Sequence, residues 1–297
     1  MQKLTPMPLD TWLDTKTTLH LYTQIIGKIR LACHPAKNHW WHVTLYLTAR
    51  GLTTGPIPYQ GSLFQIDLDF IDHQLIVSKN DSQQSAFALP GLSVQQFYHN
   101  LLDMLHAMSI YVDINTNPFD PNKVGSDIPF DLDHEHGTYD TLAVEQFWQI
   151  LCAIYPIMQQ FSGQFFGKCT PLHFYWHSFD YVLTFFSGKH APLNPEMDNV
   201  AKNAYSHEVI SFGFWPGDDS LPEPAFYSYA FPEPENIAKQ HLAESAAWVD
   251  VGTGLLAIYK YSDWINSDDK HRALLAFLNS AYYAGARLMH WDDQLMP

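Results

Sequence analysis

At 297 residues, 46% of them hydrophobic, the chain can bury a sizeable core, as two domains of ordinary size or one large one. Lys and Arg total 16 against 31 Asp and Glu, a formal net charge of -15, which argues against a nucleic-acid backbone or an anionic membrane surface as partner. The cysteines, Cys33, Cys152 and Cys169, lie far apart without a C-x-x-C pair and no apolar run reaches the ~18 residues of a membrane span, so a reduced, cytoplasmic protein is expected.

Residues 1–15 read as a loosely held arm. Leu19, Tyr22, Ile25, Ile26 and Ile29 then recur at helical spacing and predict a helix that ends near Cys33, before Pro35. Trp40 to Arg50 alternates, with Trp40, His42, Thr44, Tyr46, Thr48 and Arg50 on one face of a predicted strand and Trp41, Val43, Leu45, Leu47 and Ala49 on the other. A Gly/Pro-rich turn leads to alternating runs at Leu63 to Phe70, Asp72 to Ser78 and Gln84 to Leu89. Ser93 and Gln96 form a capping box in front of an amphipathic helix carrying Val94, Phe97, Tyr98, Leu101, Leu102, Leu105 and Met108. Ile110 to Ile114 reads as one more strand.

From Asn115 to Tyr139 the composition shifts to Pro, Asp, Asn and Gly without periodicity. This predicts an N-terminal α+β unit over 1–114, a linker over 115–139 and a C-terminal α+β unit over 140–297. Asp140 caps a helix running to about Phe165, with Pro156 inside it. Strands are predicted at Pro171 to Ser178, Asp180 to Ser187, Tyr205 to Trp215, Ala225 to Phe231 and near Trp248, with polar loops over 188–203 and 232–244. A last helix spans about Asp268 to Met289. Clean alternation favours antiparallel sheets backed by helices over a parallel sheet buried on both faces. The two halves share one order, helix then meander then helix, with duplication and chance as competing explanations.

The motifs NHWWHV, TARGLTTGPIPY, DFIDH, GKCTPLHFYW and YSHEVISFGFWPG, in that order, closely resemble a family of uncharacterised bacterial proteins, a domain of unknown function. The resemblance runs from about Leu9 to Trp291 and implies no activity. In that family's pattern the position of His177 is usually Gly and that of Phe185 usually basic; the chain departs at both, which weakens any scheme requiring His177.

Tyr205 to Gly217 is the densest mixture of acid/base, aromatic and turn residues. Period two puts Tyr205, His207, Val209, Ser211, Gly213 and Trp215 on one face, read as a cleft wall, and Ser206, Glu208, Ile210, Phe212 and Phe214 on the other, read as core. Neutral imidazole serves as base, shuttle or ligand, so His42 and His207 are candidate catalytic groups together with Glu208, whose core-face carboxylate requires a partner such as Arg50 or Lys168. Arg50, His173, Trp215, Tyr227, Tyr229 and Trp40 are candidate ligand-binding residues. For each histidine the structural alternative is a flat, half-buried ring with a hydrogen-bonded tip.

No metal site is read. His173 and His177 on one strand lie roughly 13 Å apart at ~3.3 Å per residue, and His207-Glu208 does not continue as H-E-x-x-H. The acidic loop Asp131 to His136 and a thiol at Cys169 beside Lys168 are weaker options. Nucleotide cofactors and a serine-hydrolase elbow lack their glycine motifs, so no cofactor is named. The leading expectation is a protein that binds a small polar or aromatic metabolite in a His/Trp/Tyr-lined cleft, with acid/base chemistry as an option. The alternative is a non-catalytic interaction or structural protein, in which Trp40, Tyr46 and Trp215 are buried against a partner instead of lining a pocket.

Overall fold

Alternating apolar and polar residues build two six-stranded antiparallel sheets, each backed by helices, in the α+β computed structural model, which describes residues 4–192 and 195–296. The first sheet contains β1 (Tyr46–Leu47), β2 (Gly51–Thr53), β3 (Ile57–Tyr59), β4 (Ser62–Asp69), β5 (Gln74–Lys79) and β6 (Gln84–Ala88). Its order is β1-β2-β4-β5-β6, with β3 also paired to β4. The second contains β7 (His173–Tyr175), β8 (Asp180–His190), β9 (His207–Trp215), β10 (Ala225–Phe231), β11 (Ala247–Asp250) and β12 (Leu255–Lys260), in the order β11-β12-β10-β9-β8-β7. The helices are α1 (Leu13–Cys33), α2 (Val94–Ala107), α3 (Pro121–Val124), α4 (Thr141–Ser162), α5 (Asn199–Ala204), α6 (Tyr261–Asn266) and α7 (Lys270–Leu288).

Caps fix several helix starts. Ser93 and Gln96 exchange the two bonds of a capping box at α2, Asp140 accepts from the amides of Leu142 and Ala143 at α4, and Asp269 accepts from Arg272 N at α7. In the second sheet Tyr181, Leu183, Phe185, Ile210, Phe212, Phe214, Phe226 and Tyr259 are buried in the main apolar cluster, which also holds the inner faces of α4 and α7. Val182, Tyr227 and Ile258 form a separate small cluster with Tyr175, Trp215 and Tyr229 packed on it. This is the sheet's second face, and it carries no helix cover of comparable extent.

α1 is buried from Thr18 through Arg30 on every side, polar residues included, so the expected single apolar stripe covers only part of its packing. Gly27 makes room for Trp176: a Cβ there would lie 2.1 Å from the Trp176 ring. The Trp176 indole donates to Val43 O at 2.8 Å. Next to it the two sheets are stitched edge to edge, Leu45 N donating to Phe174 O at 2.9 Å and Phe174 N to Leu45 O at 2.7 Å. One apolar cluster runs through both halves.

Several expectations are corrected. Trp40 to Arg50 is not one strand: Asn38–Trp40 is a 3-10 turn in which His39 and Trp40 take φ of 56° and 59°, and only Tyr46–Leu47 pairs as β1. Ile110 to Ile114 forms no strand. The described part of the N-terminal arm is anchored through buried Met7, Leu9 and Trp12; residues 1–3 lie outside the described residues. The supposed polar loop 188–203 contains the end of β8 and the start of α5, with 193 and 194 outside the described residues, and β3, β12 and α6 have no counterpart in the sequence reading. Within 115–139, Phe130 is fully buried, Lys28 Nζ donates to Asn115 O at 2.9 Å, and the Gln24 amide exchanges two bonds with the Phe119 backbone.

Candidate functional site

The uncovered face of the second sheet and the segments folded over its ends enclose a cleft of about 1100 Å³. Its floor is the odd-numbered face predicted for β9 together with its neighbours: Val182, Thr184 and Phe186 on β8, Val209, Ser211 and Trp215 on β9, Tyr227 and Tyr229 on β10, Leu256 and Ile258 on β12. His39, Trp40 and Trp41 overhang one end, while Lys123, His177 and Asp218 stand at its margin. The floor spans ~20 Å from Asp180 to Phe186 at ~3.3 Å per residue.

One end is organised by a carboxyl. Asp180 begins β8 on the cleft face with 9% exposure, accepts from Ser178 Oγ at 2.5 Å through Oδ1 and from the Tyr227 hydroxyl through Oδ2. Tyr227 reaches it from β10 by crossing β9 above Gly213, to which it is directly paired in register. A Cβ on Gly213 would sit 2.2 Å from the tyrosine ring, so only glycine admits the crossing. Burial raises the Asp180 carboxyl above its ordinary value although both hydroxyl donors pull the other way. Burial, together with Asp180, pushes the Tyr227 phenol well up, so Tyr227 remains the donor of the pair.

In the middle of the floor, Thr184 Oγ1 and Ser211 Oγ share a hydrogen bond at 2.6 Å. Tyr205 and Tyr229 meet hydroxyl to hydroxyl at 3.3 Å. Tyr227 and Tyr229 lie nearly parallel, 9° apart with centroids at 6.3 Å. The cleft therefore offers flat aromatic and apolar walls with a few hydroxyls and the buried Asp180 carboxyl set into them, and Asp218 and Asp250 line it as well.

The other end gathers bases. Lys168 Nζ donates to His39 Nε2 at 3.0 Å, and an ammonium has only donors, so the His39 proton resides on Nδ1 and points at Ala204 O, 3.2 Å away. Lys168 also lies over the Trp41 and Phe186 rings at 5.0 and 4.9 Å. The His207 ring is 5.5 Å from His39 and 4.4 Å from His190. Burial lowers His39 and His207 below the usual imidazole value, and Lys168 adds to it in both. At neutral pH these rings are therefore neutral.

Of the residues singled out from sequence, Trp40, Trp215, Tyr227 and Tyr229 line the cleft together. His207 flanks its His39 end. The others are placed elsewhere. His42 is buried under Trp40 and accepts at Nδ1 from Lys37 N at 3.2 Å. Arg50 is on the first sheet, bound to Asp69 at 2.5 Å and Asp72 at 2.6 Å. Glu208 faces away from the cleft and accepts from Ser187 Oγ at 2.8 Å instead of from Arg50 or Lys168. His173 is fully buried, with burial lowering its imidazole to about 3. Burial raises the Cys169 thiol, the opposite of what nucleophilic activation requires. Asp133 of the acidic loop is bonded within its own loop to His136 Nδ1 at 2.8 Å. Among the described residues no group of three or more His, Cys, Asp or Glu side chains is gathered to hold a metal ion.

Asp180, Ser178 and Thr184 are among the polar lining residues that sequence reasoning passed over. A usable signal for Asp180 was Gly213, since a glycine inside an otherwise aromatic strand marks the close approach of another group.

No helix among the described residues is long and apolar enough to cross a membrane. No curated protein matches the chain, and no solved structure does. The model of the Family of unknown function (DUF5996) matches residues 4–297, which is nearly the whole chain, and the protein belongs to that family.

Proposed function

We propose that this protein binds a small, planar, polar-substituted metabolite in the cleft on the second sheet, with Asp180 and Tyr227 as its anchoring and acid/base pair. The observation that carries the reading is the buried carboxyl on an uncovered sheet face, held by a tyrosine that needs Gly213 to reach it. A carboxyl removed from water and raised in pKa is expensive to maintain in a purely structural role, and such groups concentrate where ligands are held or protons moved. The volume, about 1100 Å³, lies just above the ~300–1000 Å³ usual for small-molecule sites and leaves room for such a ligand. Trp40 and Trp215 are half-buried along its walls, which favours a ligand over a protein partner packed on a flat patch, while Tyr46, the third residue of that comparison, is half-buried against Arg30 outside the lining. The three unpaired cysteines support action in a reducing compartment such as the cytoplasm.

The test is a thermal-shift screen with aromatic amino acids, nucleosides, pterins and hydroxybenzoates, run on the wild type, Asp180→Asn and Trp215→Ala. Ligands that raise the wild-type midpoint are expected to lose at least half of that rise in either variant. Shifts that persist undiminished in both would remove the cleft from consideration.

A further inference from the structure

Among the described residues Arg30 is the least exposed Lys or Arg side chain, 3% exposed, and no carboxylate is paired with it. The contrast with Arg50 is instructive, because that half-exposed side chain holds two carboxylates in a molecule with 31 acidic residues. Arg30 instead donates Nε to His42 O at 2.8 Å and lays its guanidinium over the Tyr46 ring at 5.3 Å. Its Nη1 has no hydrogen-bond partner. A buried guanidinium without a counter-charge is among the least favourable arrangements in a protein interior.

Arg30 is not alone in this. Thr44 Oγ1 and both ring nitrogens of His173 are also buried without a partner. The bridge between Leu45 and Phe174 sets Thr44 opposite Tyr175 and Tyr46 opposite His173, so these four side chains share one face of the seam between the sheets. Arg30 lies against Tyr46, and its charge is felt at His173. Tyr175 lines the cleft and its ring centroid is 4.6 Å from that of His173. Thr44 and His173, both unpartnered and fully buried, thus stand one aromatic ring behind the cleft wall, and the buried Arg30 guanidinium, with Nη1 unbonded, lies near enough for its charge to act on His173.

We propose that Arg30, Thr44 and His173 form an oxyanion site at the end of the cleft, behind Tyr175, which takes the carboxylate of an aromatic or heteroaromatic acid. The guanidinium edge matches a planar carboxylate, the threonine hydroxyl donates to it, and the neutral imidazole has a ring N–H to spare. A singly charged group is favoured over a phosphate dianion because one buried positive charge balances one negative charge and no more. Displacement of the Tyr175 ring opens the way from the cleft. The proposal rests on the cleft reading above and narrows its ligand to an acid.

Calorimetric titration with benzoate, 4-hydroxybenzoate, benzamide, acetate and inorganic phosphate tests it. The aromatic acids are expected to bind at least tenfold more tightly than benzamide and than acetate or phosphate. Arg30→Gln is expected to remove that preference, and Thr44→Val to reduce it severalfold while the free variant folds with an unchanged or raised midpoint. If Arg30→Gln does not fold, Thr44→Val carries the test. Equal binding of benzoate and benzamide, both lost in Asp180→Asn, overturns the acid site and leaves the cleft standing. Acetate or phosphate binding as well as benzoate overturns the link to a cleft ligand. No binding of any aromatic probe overturns both.

Discussion

Tyr227 lies across Gly213 and donates its hydroxyl to Asp180, so three neighbouring strands contribute one side chain, one missing side chain and one carboxyl to a single contact. Gly213→Ala must displace the ring, because no alanine Cβ tolerates a neighbour at 2.2 Å. The expected loss is ~1–3 kcal/mol of stability, the usual range for overpacking a filled interior. Tyr227→Phe keeps the ring and removes the donor, with an expected loss of ~1–3 kcal/mol for a hydrogen bond to a carboxyl left buried. Urea denaturation measures both, and because both variants break one contact their double mutant should lose less than the sum. Strict additivity would show that Gly213 acts on something other than the Tyr227 contact.

The floor of the cleft was legible because β9 obeys period two without interruption, with Ile210, Phe212 and Phe214 turned to the helices and Val209, Ser211 and Trp215 to the open side. The same alternation misled at Trp40 to Arg50. Positive φ at His39 and Trp40 turns the backbone there; histidine visits that region more often than most residues, but neither side chain marks a turn as glycine would. Those turns nevertheless bring Trp40 and Trp41 over the cleft. Arg30 escaped altogether, and His173 was expected among the cleft residues instead of fully buried at the seam, for a different reason. Their significance is the absence of partners, which depends on how the two sheets meet at Leu45 and Phe174 and leaves no trace in local sequence.

Acidification should destabilise the protein through its buried histidines. Burial lowers His20 and His173 from 6.5 to about 3 and His177 to about 4. A folded-state value below the unfolded one means that the unfolded chain binds more protons between the two, so stability falls as pH drops from about 6.5 toward 3. His20 and His173 are almost fully enclosed, and each contributes a slope of up to ~1.4 kcal/mol per pH unit. Asp180 acts in the opposite sense. Its raised value means that stability falls as pH rises from 3.8, the ordinary value of its carboxyl. One carboxyl opposes at least two imidazoles, so the net fall on acidification remains and becomes steeper in Asp180→Asn. Denaturation midpoints from pH 7 to 4.5 read this directly, and a flat profile would count against neutral buried imidazoles.

Glu208 should be a minor contributor. Its sequence position implied a buried ion pair, whose breakage costs ~3–5 kcal/mol. The structure gives it a single hydroxyl donor, Ser187 Oγ at 2.8 Å, in a half-buried setting. Glu208→Gln keeps an acceptor for that hydroxyl and is expected to change stability by less than ~1 kcal/mol, with Glu208→Ala near the ~0.5–1.5 kcal/mol of one ordinary hydrogen bond. A loss above ~3 kcal/mol in either, measured by chemical denaturation, would reveal a charge partner for this carboxylate.

The segment 115–139 is proposed as the boundary between two units, and Lys28, together with Gln24, ties it to α1. The Lys28 ammonium is 8% exposed, donates to the carbonyls of Asn115 and Asn117, and lies 4.9 Å from the Phe130 ring centroid. Burial lowers it to about 8, which shows how weakly two carbonyls replace water around a cation. Lys28→Met preserves the stem's packing and removes both bonds. Global stability should therefore change by less than ~2 kcal/mol, because the relief of a buried charge offsets the lost hydrogen bonds. Local opening is another matter, since cleavage of a native protein tracks the free energy of exposing the cut segment. Thermolysin cuts within 115–139 are expected first in the wild type and several times faster in Lys28→Met, with fragments assigned by mass. First cuts inside α4, or an unchanged rate in the variant, would place the boundary elsewhere and leave Lys28 with a packing role alone.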